Sequence, residues 1–445
     1  MTATPEPASP FSPPPGARLR EAHAHIASLG QSLELGSLES CTSLRQCLET
    51  VAAAARNAPT DAGQRGRPWV RLHSARPQAW TEARWPTLAE LDRASGEACV
   101  VVMSFDHHAA AANTQAMDAA GLHAGVSVPP NGVVEVDAAG TATGLLLEQA
   151  AHAAWNAAPQ PSPHARRGHV LAALEVLHAL GYTEVHDLLS QAWLGPLLAD
   201  LAREGLLRQR VWLYPPIDRL AADAAQRAAW ESDQVRLAGG KVFADGTLNS
   251  RTACMIHRYA EPLVNVPRGQ CMVAPRALDE QFRAADALGL PLAVHAIGDN
   301  AVRTVLDSIE RVRPRAPGQR IEHCEFIDAA DVPRFAKLGV ICSVQPCHLL
   351  TDVEAITRFV PHRAERVLPL RELIDAGCRP GELLWFGSDV PIVRANPEDS
   401  VRAAVSRRRA GVPEAEAIAP RQAISEREAW ACFGAAADHP RGGGR

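Results

Sequence analysis

The chain has 445 residues, 47% hydrophobic and 21% charged, with a formal net charge of −5. That length suits one large α/β domain with insertions, and the charge lacks the basic excess that nucleic acid or an acidic membrane surface requires. No run of about 18 apolar residues offers a membrane span, and the ten cysteines contain no C-x-x-C pair, which predicts reduced thiols in a cytoplasmic protein.

In chain order, residues 1–15 are Pro-rich, with neither a basic start nor an apolar run. They read as a disordered arm and not as a secretory signal. Residues 17–27 form a first strand running into His23 and His25, and a helix follows from Leu38 to Arg56. Periodicity is weaker over 57–165. Short strands are expected there at Pro68–His73, Ala98–Phe105 and Gly132–Val136, with a helix over Thr141–Trp155. This stretch reads as an insertion between the first two strands of the main domain.

Regular alternation starts near His164. Helical segments then precede the strand segments YTEVHDL, RQRVWLYP, VRLAGGKVFADG, LPLAVHAIGDN, QRIEHCEF, VICSVQP and LLWFGSD in turn. With the first strand these make eight, which predicts an α/β fold of the (β/α)8 TIM-barrel type over residues 16–435. Residues 436–445 read as a flexible tail.

Five of those strands end on residues able to hold a metal. His23 and His25, at i and i+2, share one face of the first strand. Lys241 ends the fourth, His295 the fifth, His323 the sixth and Asp389 the eighth. The C-terminal ends of barrel strands converge on one mouth, so these six residues form a candidate metal centre for one or two divalent ions, zinc fitting the imidazole and carboxylate donors best. Of 45 basic residues only Lys241 and Lys337 are lysine. An amine at a strand end has chemistry a guanidinium lacks, and a carbamate on Lys241 would supply the anion that two neighbouring cations need between them. Asp389 is the candidate general base for a metal-activated water. Asp245, Asp299 and Glu322, beside these ligands, are expected to support them or to cap helices. His73, His107, His123, His152, His164, His169, His178, His257, His362 and His439 earn no metal role from position, and those on helical runs read as solvated. Trp69, Trp80, Trp85, Phe105, His108 and Trp193 are candidate pocket walls, and Arg251 a candidate contact for a substrate carboxylate or carbonyl.

The ordered set HxH–Lys–His–His–Asp resembles the amidohydrolase superfamily. More closely, KVFADGTLNSRTA, VHAIGDNAVRTVLDSIE, RIEHCEFID, GVICSVQPCHLLTD and GSDVPIVRANPEDSVRAAVSRR resemble amidohydrolase family 3, which includes N-substituted formamide deformylase. The resemblance implies a metal-dependent hydrolase of amide or other C–N bonds in small molecules, with His23, His25, Lys241, His295, His323 and Asp389 as ligands. It also aligns FDHHAAAANTQAMDAAGL with a pocket-lining segment, implying substrate contacts from Asp106, His108 and Asn113. Such enzymes usually carry a β-sandwich before and after the barrel. Here the Pro-rich arm alone precedes the first strand, and PGARLREAH places Arg18, Arg20 and Glu21 around it. The expectation is a barrel without the sandwich, its exposed end covered by the arm or by a second copy in a homo-oligomer. A mononuclear, deaminase-like hydrolase and a non-catalytic metal-binding barrel are the competing readings.

Overall fold

Alternating apolar strands and amphipathic helices build most of this computed structural model, which describes residues 11–58, 66–122 and 128–434. After β1 (Leu19–Ala24) come six strands: β2 (Gly36–Ser37), β3 (Trp69–Ala75), β4 (Cys99–Ser104), β5 (Ala109–Ala112), β6 (Gly132–Val136) and β7 (Ala142–Glu148). The remainder are β8 (Tyr182–Asp187), β9 (Arg210–Leu213), β10 (Val235–Leu237), β11 (Gly240–Phe243), β12 (Leu292–Ala296), β13 (Arg320–His323), β14 (Ile341–Val344) and β15 (Leu384–Phe386). Two sheets take up the regular part of the chain, in the orders β1-β8-β9-β10 and β11-β12-β13-β14-β15. Every pairing in both is parallel, as helical crossovers require.

The two sheets meet at both edges. On one side Lys241 bridges Pro216, with Lys241 N–H donating to Pro215 O at 2.8 Å. On the other, Ala24 bridges Val390, and Asp389 N–H donates to His23 O at 2.7 Å. Between them runs Arg320, fully buried on β13. Its guanidinium donates to Ala22 O on β1 (2.6 Å), to Ser343 Oγ on β14 (2.9 Å) and to Glu322 on its own strand, and it lies 3.0 Å from His186 Nδ1 on β8. One apolar cluster, running from Leu19 to Phe433, joins both sheets to their helices.

Residues between β1 and β8 form a third sheet, in the order β2-β3-β4-β5-β7-β6. Its first three strands pair in parallel and the rest antiparallel. Separate apolar clusters cover its two faces. Residues 142–148, expected to be helical, are strand β7, and the helix Gln149–Asn156 starts only after Glu148 turns with φ 53°. β5 was not anticipated. Its AAAA has helical propensity, but alanine's small bulk lets all four residues sit fully covered between the layers.

The expectation of ten reduced thiols fails at one pair. Cys254 and Cys271 form a disulfide with Cα atoms 5.3 Å apart, beside the bridge between Asp245 and Cys271; 17 residues of sequence separate them, a spacing with no motif to announce it. The other eight are free. The helical His169 is buried, not solvated, and pairs with Glu34 at 2.8 Å. Phe11 and Ala17 lie against the main core. The rest of the arm up to residue 10, His123, His439 and the tail lie outside the described residues. Arg20, near the start of β1, is covered by the C-terminal segment: its N–H donates to Phe433 O at 2.8 Å and its guanidinium stacks 3.8 Å from the Trp385 ring. No described helix is long and apolar enough to cross a membrane.

Candidate metal centre and active-site cavity

Strand register brings the expected ligands level with one another. Phe243 of β11 pairs with His295 of β12, and Ala296 of β12 with His323 of β13. His23, His25, Lys241, His295, His323 and Asp389 all line one cavity of about 880 Å³. Donor atoms of His23, His323 and Asp389 converge within 4.8 Å of one another, all three residues buried. Asp389 Oδ1 stands 2.8 Å from His25 Nε2 and 3.3 Å from His23 Nε2, and its Oδ2 is 4.0 Å from His323 Nδ1. His295 packs against His323 with ring centroids 4.4 Å apart, and its Nε2 is turned to Gly246 O at 3.1 Å. His323 and Asp389 both hold left-handed backbone, at φ 72° and 64°. For non-glycine residues that is a costly conformation, and such residues gather where function over-determines the backbone.

The donor set fits a divalent ion. Burial, aided by the neighbouring Lys241, pulls the His23 imidazole down to about 4. Burial and neighbouring imidazoles or Lys241 hold His295 and His323 well below the usual histidine range. Asp389 goes the other way: burial favours its neutral form, but His23, His25 and His323 outweigh burial and keep it ionised. Neutral imidazoles around a carboxylate are the protonation states a metal needs. Glu322 Oε2 accepts the His23 Nδ1 proton at 2.7 Å, which leaves the Nε2 lone pair for the centre. His323 Nδ1 is buried and has no hydrogen-bond partner, a costly arrangement that an ion would relieve.

Lys241 is buried in the same cavity, and burial brings its ammonium down to about 8 against the pull of Glu322 and Asp389. Of the flanking acids, Glu322 supports His23. Asp245 accepts backbone N–H groups from Cys254, Ile297 and Gly298 at 2.8–3.0 Å and lies 3.5 Å from His295. Asp299 begins the helix Asp299–Val312, accepts Ile256 N–H and pairs with Arg363.

The third sheet supplies one wall. Asp106 and His108 line the cavity, and Asp106 accepts Thr247 Oγ1–H at 2.8 Å. His108 Nδ1 sits 2.6 Å from Glu148 Oε2, while Thr252 donates to Glu148 Oε1. Burial opposes charge on His108, yet Glu148 outweighs it and raises the imidazole to about 9. Phe105 and Trp193 are walls as expected, joined by Trp155.

Five of the expected contacts and walls lie elsewhere. Asn113 is fully buried, caps the helix Thr114–Ala120 through Ala116 N–H, and donates to Ser95 and Ala98 O. Its amide is spent on the sheet, away from the cavity. Trp69 packs on an apolar face of the third sheet, as Trp80 does on the other face. Arg251 lines a smaller cavity of about 170 Å³, shared with Trp85, and donates to Glu261 O at 3.1 Å over the Phe359 ring. Sequence reasoning missed Glu148, the lining residues His107 and His152, and a trio of Glu325, His348 and Asp352. The spacing of His348 and Asp352, i and i+4 on one helix face, was the available signal for the last.

With this geometry in hand, comparisons with known proteins agree. A model of the amidohydrolase family matches residues 19–435. The protein LONG AFTER FAR-RED 3 of Arabidopsis thaliana is 28% identical over 87% of this chain and 68% of its own. An N-substituted formamide deformylase of Arthrobacter pascens is 28% identical over 95% of this chain and 79% of its own. The crystal structure of an uncharacterized metal-dependent hydrolase from Pyrococcus horikoshii superposes with a TM-score of 0.70 at 25% identity, covering 93% of this chain and 78% of that one.

Proposed function

The chain belongs to the amidohydrolase family, and on that premise we propose that it hydrolyses a C–N bond of a small amide, formamide or cyclic amide. In this reading the two parallel sheets, with β10 and β11 together taking the place of one expected strand, close into a (β/α)8 barrel, held at the two sheet edges and across the middle by Arg320, and the third sheet is an insertion after its first strand. The observation that carries the reading is the convergence of buried His23, His323 and Asp389 on one point of a large cavity.

His23, His25, His323 and Asp389 would hold a divalent ion, zinc by donor type, with His295 and Lys241 beside it. Such an ion supplies a water acidic enough to be deprotonated near neutral pH and polarises a carbonyl oxygen. Asp389, kept ionised by its imidazole neighbours, accepts the proton of the attacking water and passes it to the leaving nitrogen. His108, oriented and kept cationic by Glu148, offers its other N–H to the substrate's developing oxyanion. Lys241 has a neutral fraction at physiological pH, and a neutral amine adds to CO2, releasing a proton and leaving a carbamate; that group would support a second ion. A single-ion centre is the second reading, favoured by the turn of His295 Nε2 to Gly246 O.

The test is metal content per chain by mass spectrometry on protein purified with bicarbonate and without chelator, followed by a panel of amides and formamides. One or two ions with turnover of any member supports the proposal. A folded protein that refuses zinc and cleaves none overturns it.

A further inference from the structure

Glu325, His348 and Asp352 stand on the same cavity wall, outside the ligand set described above, and all three are buried. Their donor atoms lie within 4.8 Å of one another. Glu325 follows β13, while His348 and Asp352 occupy one face of the helix His348–Phe359, whose start follows β14. Two independent stretches of backbone therefore aim donors at one point.

The hydrogen bonds around the trio leave that point open. His348 Nε2–H donates to Ser388 O at 3.2 Å, and Nδ1 faces Glu325; burial opposes charge on the ring, yet Glu325, Asp389 and Asp352 outweigh it and raise the imidazole to about 9, so an ion binding here would displace the Nδ1 proton. Metal-binding histidines are commonly anchored this way, through a backbone carbonyl on the far nitrogen. Nδ1 and Glu325 Oε1 are 3.8 Å apart. That is too long for a charged N–H···O bond, which runs at about 2.7–2.9 Å, but two ligands each about 2.1 Å from a common ion stand about 3–4 Å apart. The Glu325 carboxylate is buried, and its partner is the His348 imidazole at that longer distance. Asp352 Oδ1 is held by Asn249 Nδ2 at 2.7 Å, which fixes the carboxylate and leaves Oδ2 toward the trio.

We propose that Glu325, His348 and Asp352 form a second divalent-cation site, separate from the Asp389 centre and facing the same cavity. Two carboxylates and one imidazole suit manganese, zinc or iron(II). The His348 ring lies 6.2 Å from that of His323, so an ion there would share the substrate chamber with the first centre. It would draw substrates that carry a carboxylate or another anionic oxygen.

The test is metal stoichiometry by mass spectrometry on the full chain, stripped with chelator and equilibrated with Mn2+ or Zn2+. D352N and E325Q should each bind about one ion per chain fewer than wild type. D389N should lose a different ion, and D352N/D389N should lose both. Wild-type stoichiometry in folded D352N and E325Q overturns the second site, whereas retention of all metal in D389N strikes at the first centre alone. Should both single variants fail to fold, anomalous scattering from wild-type crystals soaked in Mn2+ decides. A peak between Glu325, His348 and Asp352 sustains the site; none there, with a peak at Asp389, overturns it.

Discussion

Glu148 Oε2 and His108 Nδ1 meet at 2.6 Å, and through them the third sheet reaches the chamber built by the parallel strands. Glu148 is what holds His108 cationic to about 9. In E148Q that support goes while the burial that opposes charge remains, so His108 should lose its proton at lower pH. The expected outcome is an alkaline limb of kcat/KM that moves down by one unit or more, with activity at pH 8 reduced about 10- to 100-fold. An unshifted limb in E148Q would remove His108 from oxyanion stabilisation.

Asp389 is assigned both a ligand and a base role. D389N should lower kcat by about 10²–10⁴-fold, with far-UV circular dichroism unchanged. Activity within a few-fold of wild type would assign proton transfer to another group.

Replacing Lys241 by alanine separates an amine from a carbamate. K241A should bind less metal than wild type, and short carboxylates such as acetate should restore part of the loss. If metal content in K241A equals wild type with or without acetate, no carbamate bridges the centre.

Asp187, at the end of β8, is buried, and burial raises its carboxyl to about 6 although His25 and the Ile26 N–H pull it down. Unfolded, it titrates near 3.9, so between these values the folded chain holds the proton more firmly. Its contribution to stability is complete below about pH 4 and is lost as pH rises through about 6, on the order of 2–3 kcal/mol. D187N lacks that loss and can still accept the Ile26 N–H. In chelator-treated protein, urea titrations at pH 4, 5, 6 and 7 should show D187N gaining on wild type as pH rises. A constant difference would place Asp187 near its ordinary pKa.

How much of this was legible in the sequence follows from which interactions are local. The segments that carry His23, Lys241, His295, His323 and Asp389 could be read because apolar runs between helical periods define parallel strands, although Lys241 is the second residue of β11 and Asp389 lies just past β15 rather than at a strand end. The third sheet was legible in β3, β4 and β6 but not in β5 and β7, whose alanine and leucine runs suit a helix as well as a strand. TATGLLLE packs as strand because β5 and β6 flank it, whereas its leucines suit a helix equally well. Asn113 was misplaced for a related reason: a residue type matched to a pocket segment says nothing of whether its amide is already spent on Ser95, Ala98 and a helix N-terminus. Arg320 and Glu148 went unread because their partners lie on other strands or in the Thr252 loop.

The bridge between Ala24 and Val390 has a consequence for how the protein matures. His25 and Asp389 are 364 residues apart in sequence, so on the ribosome the first of these two residues emerges long before the second. The third sheet, with its own apolar clusters on both faces, can fold while β8 to β15 are still being made. The donor cluster exists only after β15 docks beside β1, so in the proposed reading a metal would bind only once both strands are in place.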